Sequence, residues 1–198
     1  MISEWTFGIL PDGREVKAFE LVSATGFRAT ILNYGATLHA LQTPKGHDLI
    51  VGPKTLAGHV SASYFPGVIV GRVANRIIGG RFEIDGESYR TPLNEANNTL
   101  HGGEDGFHRQ IWEGSLAGET LVLRHTSPEG HQGFPGEIDC ELRIHWTGTV
   151  LHLGMEAVTS RPCPVNLTWH PYGNLGTTAR IDGHDLRIAS EQRTVLDR

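Results

Sequence analysis

The chain has 198 residues, 38% hydrophobic and 20% charged, with a formal net charge of −5 at pH 7. Such a composition excludes a disordered chain, and the absence of a basic face to neutralise phosphates argues against a nucleic-acid partner. No apolar run approaches the ~18 residues of a membrane span, and no basic segment precedes an apolar one at the N-terminus, so neither a membrane partner nor a signal peptide is expected.

Twenty-five glycines and ten prolines favour many short strands over long helices. The length suits a single domain over residues 1–198 with a real core. In chain order, strands are predicted at 28–33, 37–43 and 68–72. A hairpin follows over 81–90, where Asp85-Gly86 separates Arg81-Phe82-Glu83-Ile84 from Glu87-Ser88-Tyr89-Arg90. Residues 120–125 form the next strand. The clearest signal is 137–146, in which Ile138, Cys140, Leu142, Ile144 and Trp146 alternate with polar neighbours. A turn at Thr147-Gly148 leads into 149–158, whose apolar set is Leu151, Leu153, Met155 and Ala157. Shorter strands are expected at 165–168 and 186–189. No segment sustains a helical apolar period. The expected class is all-β, a large antiparallel β-sandwich. Beyond Leu186 the sequence runs on without a recognisable stop, so a chain cut short is expected. Cys140 and Cys163 lie outside any CxxC spacing, which fits a reducing, cytoplasmic setting without a disulfide framework.

Four polar motifs stand out. Gly71-Arg72-Val73-Ala74-Asn75-Arg76-Ile77 places two arginines after an apolar run, offering forked donors for hydroxyls or carboxylates, or surface ion pairs. Asn97-Asn98-Thr99-Leu100-His101-Gly102-Gly103 places a histidine before two glycines that permit close backbone approach to a ligand; its plainer reading is a polar turn. Gly133-Phe134-Pro135-Gly136 reads as a structural turn. Asn166-Leu167-Thr168-Trp169-His170-Pro171-Tyr172 ends a strand with a histidine that Pro171 holds extended. Histidine titrates near neutrality, so His101 and His170 among amides and hydroxyls suggest proton transfer on a polyhydroxylated ligand; the alternative is two histidines satisfied by neighbouring amides. The other histidines fall in no metal-ligand spacing. His145 and His152 are expected across the 137–158 hairpin from each other, as a solvated pair and not a metal site. Glu95, Glu104 and Glu137 have no setting that marks a general base, and are expected to be mobile.

Taken in order, these motifs, with Asn33-Tyr34-Gly35-Ala36-Thr37-Leu38 and Gly106-Phe107 through Trp112, resemble the aldose 1-epimerase (galactose mutarotase) family. The resemblance implies that family's large twisted supersandwich and the interconversion of α and β anomers of a free hexose, an isomerase reaction on a small-molecule aldose. It implies that His170 protonates the ring oxygen as general acid while a glutamate accepts the C1 hydroxyl proton. It further implies that Asn75, Arg76, His101 and Tyr172, with Arg72 beside them, bind sugar, and that no metal or organic cofactor is needed. Trp169 and Gly173 depart from the family's asparagine and phenylalanine; Trp169 either stacks on sugar or packs. The family's glutamate is expected beyond residue 198, so the chain alone is expected to lack the base half of the mechanism and to be inactive. Two other readings stay open: a non-catalytic carbohydrate-binding module on the same sandwich, and a relative acting on a hexose 6-phosphate. Oligomeric state is not legible.

Overall fold

A computed structural model describes residues 1–178 and 180–192. Two antiparallel meanders make the body of the molecule. The first comprises β1 (Ile2–Ile9), β2 (Glu15–Val22), β3 (Arg28–Leu32) and β4 (Thr37–Gln42), paired in that order. The second comprises β10 (Glu113–Ala117), β11 (Thr120–Ser127), β12 (Ile138–Thr147) and β13 (Val150–Thr159), again in sequence order. Phe19, Leu21, Ile31 and Leu38 from the first sheet share one buried cluster with Leu121, Leu123, Leu142 and Ile144 from the second. Trp112 is fully buried in the same core, and the Trp146 indole donates to the Leu21 carbonyl at 3.0 Å, tying the sheets at one end. The all-β sandwich is thus established by the inner strands, which bury apolar residues against the facing sheet, while β1 and β10 at the sheet edges stay largely exposed.

Between the meanders lie α1 (Leu56–Ser61) and short strand pairs: β5 (Ile69–Val70) with β14 (Thr168–Trp169), β6 (Arg76–Ile78) with β9 (Asn98–Leu100), and β7 (Arg81–Ile84) with β8 (Glu87–Arg90). The last pair matches the predicted hairpin, with Ile84 opposite Glu87 across Asp85-Gly86.

Some expectations are corrected. The strand expected at 68–72 is only the two residues of β5, because the Gly71 and Arg72 carbonyls turn to accept from Phe107 and Asn166 instead of continuing a ladder. The strand expected at 165–168 begins at Thr168. Residues 186–189 form no strand: Leu186 is 86% exposed, and no described strand pairs with them. The β12–β13 turn is one residue later than expected, since Thr147 itself pairs with Val150. On β13 only Leu151 and Leu153, nearest the turn, pack on the core, while Met155 and Ala157 farther along the strand stay exposed. The strands β1 and β2 went unread: the apolar residues of β2 shift phase between Ala18 and Phe19, and β1 is exposed along most of its length.

Candidate functional site

The β6–β9 ladder brings Arg76 opposite Leu100, so Asn75 and His101 meet at its end. Both adopt left-handed backbone, with φ of 64° and 53°. They bond reciprocally: the Asn75 amide N–H donates to His101 Nδ1 at 3.0 Å, and the His101 N–H donates to the Asn75 carbonyl at 3.0 Å. An imidazole whose Nδ1 accepts carries its proton on Nε2. Burial pushes the His101 pKa down to about 4, with His170 and Arg76 adding to the fall and Glu95 opposing it. His101 is therefore a neutral ring at pH 7, offering one N–H in a known direction.

His170 reaches the same place from the other side. Just past β14, its N–H donates to the Val68 carbonyl and its carbonyl accepts from the Gly67 N–H, both at 2.9 Å. The His101 and His170 rings stand edge to face, centroids 5.2 Å apart and planes at 83°. Tyr172 follows at 5.0 Å from the His170 ring and is 38% exposed. Arg76 completes the group: its Nη1 donates to Asn75 Oδ1 at 2.9 Å, and its Nε and Nη2 grip both oxygens of Glu95 at 2.5 and 2.7 Å. That carboxylate raises the Arg76 pKa further.

Glycine makes the site possible by letting backbone meet backbone. At Gly102 φ is +87°, and an added Cβ would stand 1.7 Å from the Gly71 carbonyl oxygen. One close approach that this glycine permits is thus to the chain itself. The loop after His101 is thereby pressed onto the segment that leads to Asn75. Gly67 does the same for Phe65 and His170, its missing Cβ leaving room for the Leu38 carbonyl at 2.2 Å.

An aldose 1-epimerase family model matches residues 17–198. The chain belongs to this family. The galactose mutarotase of Rattus norvegicus is 34% identical over 203 residues, covering 99% of this chain and 59% of that protein. The aldose 1-epimerase of Escherichia coli is 30% identical over 204 residues, covering 100% and 59%. Among solved structures, a galactose 1-epimerase from Lactobacillus acidophilus superposes with a TM-score of 0.79 at 26% identity, covering 89% of this chain and 54% of that one. The chain therefore spans rather more than half the length of the curated relatives it matches.

Five of the six residues the epimerase resemblance pointed to, Asn75, Arg76, His101, His170 and Tyr172, form one cluster. The sixth, Arg72, does not join it. It is 2% exposed, and its donors are taken by Ser127 Oγ and by the carbonyls of Ser127, Pro128, Pro135 and Gly136. A buried guanidinium needs such a cage, and one so occupied has nothing left for a sugar. The expectation that Arg72 binds substrate is corrected: it secures the turn Gly133-Phe134-Pro135-Gly136, where Phe134 is buried against Phe82. Trp169 is partly buried and packs on the core.

Sequence reasoning missed Phe65 and His108. The Phe65 ring lies 4.6 Å from His101, 4.9 Å from His108 and 6.1 Å from His170, forming an apolar wall that dries all three imidazoles. Burial brings His108 down to about 4. The only sequence signal for Phe65 was an aromatic pair, Tyr64-Phe65, before Pro66-Gly67. Glu95 was misjudged as mobile: the β6–β9 register lets it pair with Arg76. Elsewhere, His145 and His152 do sit opposite each other on β12 and β13, their rings stacked at 4.9 Å. Among the described residues no three potential ligands gather around a metal position, and no helix is long and apolar enough to cross a membrane.

Proposed function

We propose that the chain carries the sugar-binding and acid half of an aldose 1-epimerase that interconverts α and β anomers of a free hexose such as glucose or galactose. The observation that carries this reading is the edge-to-face pairing of His101 and His170 beside Arg76, Asn75 and Tyr172. A hexose ring presents hydroxyls that accept from the His101 Nε2–H and from Arg76, and offers its ring oxygen to His170. Protonation of that oxygen by His170 weakens its bond to C1; loss of the C1 hydroxyl proton then opens the ring to an aldehyde. Rotation and closure, with the protons returned, yield the other anomer. His170 acts as acid in opening and as base in closing. Phe65 excludes water from one side of the imidazoles, which strengthens their hydrogen bonds.

The acceptor for the C1 proton is not among the carboxylates near this site. Glu95 has both oxygens on Arg76, Glu104 is exposed on a loop, and Glu137 lies just before β12. The reading includes no metal, no organic cofactor and a cytoplasmic setting, the last supported by the two unbridged cysteines. A non-catalytic sugar-binding module is disfavoured by the second histidine, which binding alone does not require. The test is polarimetry on fresh α-galactose with the whole protein. His170→Asn should slow anomer equilibration by about 10²- to 10⁴-fold while leaving the fold intact. A rate within about threefold of the parent sinks the assignment.

A further inference from the structure

Glu95 is the one carboxylate locked into the site's hydrogen-bond chain, and neither the epimerase resemblance nor the mechanism above gives it a task. Its pair with Arg76 is half exposed, the side chains being 36% and 41% accessible, so it adds little to stability. Its geometry is nevertheless tightly built. Asn94 accepts from the Leu100 N–H at 2.7 Å and donates to the Leu100 carbonyl at 3.0 Å, fastening the loop to β9. Glu95 and Asn98 exchange backbone bonds at 3.2 and 2.9 Å, closing the turn. The carboxylate therefore stands on a stiff support. Both its oxygens engage Arg76, at Nε and Nη2, which fixes the plane of the guanidinium. The remaining nitrogen, Nη1, is thereby aimed at Asn75 Oδ1, and the Asn75 backbone sets the His101 tautomer.

We propose that Glu95 is a positioning residue for sugar recognition, holding Arg76 so that its outward N–H groups and the Asn75 amide present a fixed donor–acceptor pair to two neighbouring hydroxyls of the aldose. The proposal rests on the aldose reading above. An unclamped arginine has four rotatable side-chain bonds and would have to be ordered by the sugar at each binding event, at a cost in affinity. With both oxygens engaged, Glu95 serves as an orienting group and not as a base.

The test uses the whole protein and four variants: Glu95→Ala, Glu95→Gln, Arg76→Ala and the Glu95→Ala/Arg76→Ala double. Two readouts are taken by NMR, the Arg76 Nε–H resonance without ligand and the Kd for galactose. In the parent the Nε–H signal should be resolved and slow to exchange. In Glu95→Ala it should merge with those of solvent-exposed arginines, and the Kd should rise about tenfold, the scale of one charge-assisted bond. Glu95→Gln, which keeps the shape and one acceptor oxygen, should fall between and guards against a folding defect. If Glu95 acts only through Arg76, the double variant binds no more weakly than Arg76→Ala alone. An Nε–H signal unchanged in Glu95→Ala overturns the proposal, as does an unchanged Kd or a double variant clearly weaker than Arg76→Ala. A parent that shows the protected Nε–H but binds no galactose refutes the aldose reading instead, and the sugar role of Glu95 falls with it.

Discussion

Mild acid should unfold this chain. His59, His108 and His125 are each driven down to about 4 chiefly by burial, from an ordinary value of 6.5. His59 is 8% exposed and hydrogen-bonds His39 at 3.0 Å; His125 is edged by Phe107 at 5.2 Å. Because the folded pKa lies below the unfolded one, the fold favours the neutral rings. Their contribution is fully present above pH 6.5 and is lost as pH falls from there toward 4. Between pH 7 and pH 5 each ring costs roughly 2 kcal/mol, so the three together remove on the order of 5 kcal/mol. A domain's whole stability is only about 5–15 kcal/mol. His101, half-buried, titrates in the same sense. The assay is urea unfolding followed by tryptophan fluorescence at half-unit pH steps, with proton uptake on unfolding measured at pH 5, where at least about three protons per chain, and about four with His101 and His39, are expected. His125→Gln should reduce the pH dependence by about a quarter. A stability that stays within about 1 kcal/mol from pH 7 to pH 5 would refute the claim that these imidazoles are buried neutral.

Two further outcomes concern the scaffold. Gly102→Ala sets a Cβ against the Gly71 carbonyl in a left-handed conformation and should cost at least about 2 kcal/mol or prevent folding; Gly13→Ala, also at positive φ but with open space around it, should cost about 1 kcal/mol or less, and denaturant midpoints compare them. Arg72→Lys retains the charge but supplies three donors where the cage of carbonyls and Ser127 uses the whole fork, so it should lose about 3 kcal/mol or more by the same measurement, whereas Arg76→Lys on the exposed rim should lose less than about 1 kcal/mol.

The strands that bury one face were readable because burial writes a period of two into the residues. β12 shows it over nine positions, from buried Ile138 to half-buried Trp146. Where the pattern is absent the reading failed. β1 lies largely in solvent, and Leu186, Ile188 and Ala189 have no described partner strand, so the apolar positions there predicted a strand that no ladder supports. The histidines of the site were legible because polar motifs ended strands, and their convergence follows from the β6–β9 and β5–β14 pairings, which link residues 22 and 98 positions apart. What stayed hidden depended on those same long-range pairings. Nothing local to Arg72 and Arg76 distinguishes them, yet one turns inward and the other outward. Nothing local to Phe65 announces that three imidazoles will close around it.

The interior arginine has a mechanical consequence. Arg72 reaches from the segment beside β5 to both ends of the excursion between β11 and β12, holding the Ser127 and Pro128 carbonyls at its near end and those of Pro135 and Gly136 at its far end. It closes that loop as a disulfide would, yet without sulfur oxidation, so the clasp is indifferent to redox poise. Because the same backbone continues three residues later into Asn75, the loop and the rim that holds Asn75 and His101 are tethered to one stretch of chain.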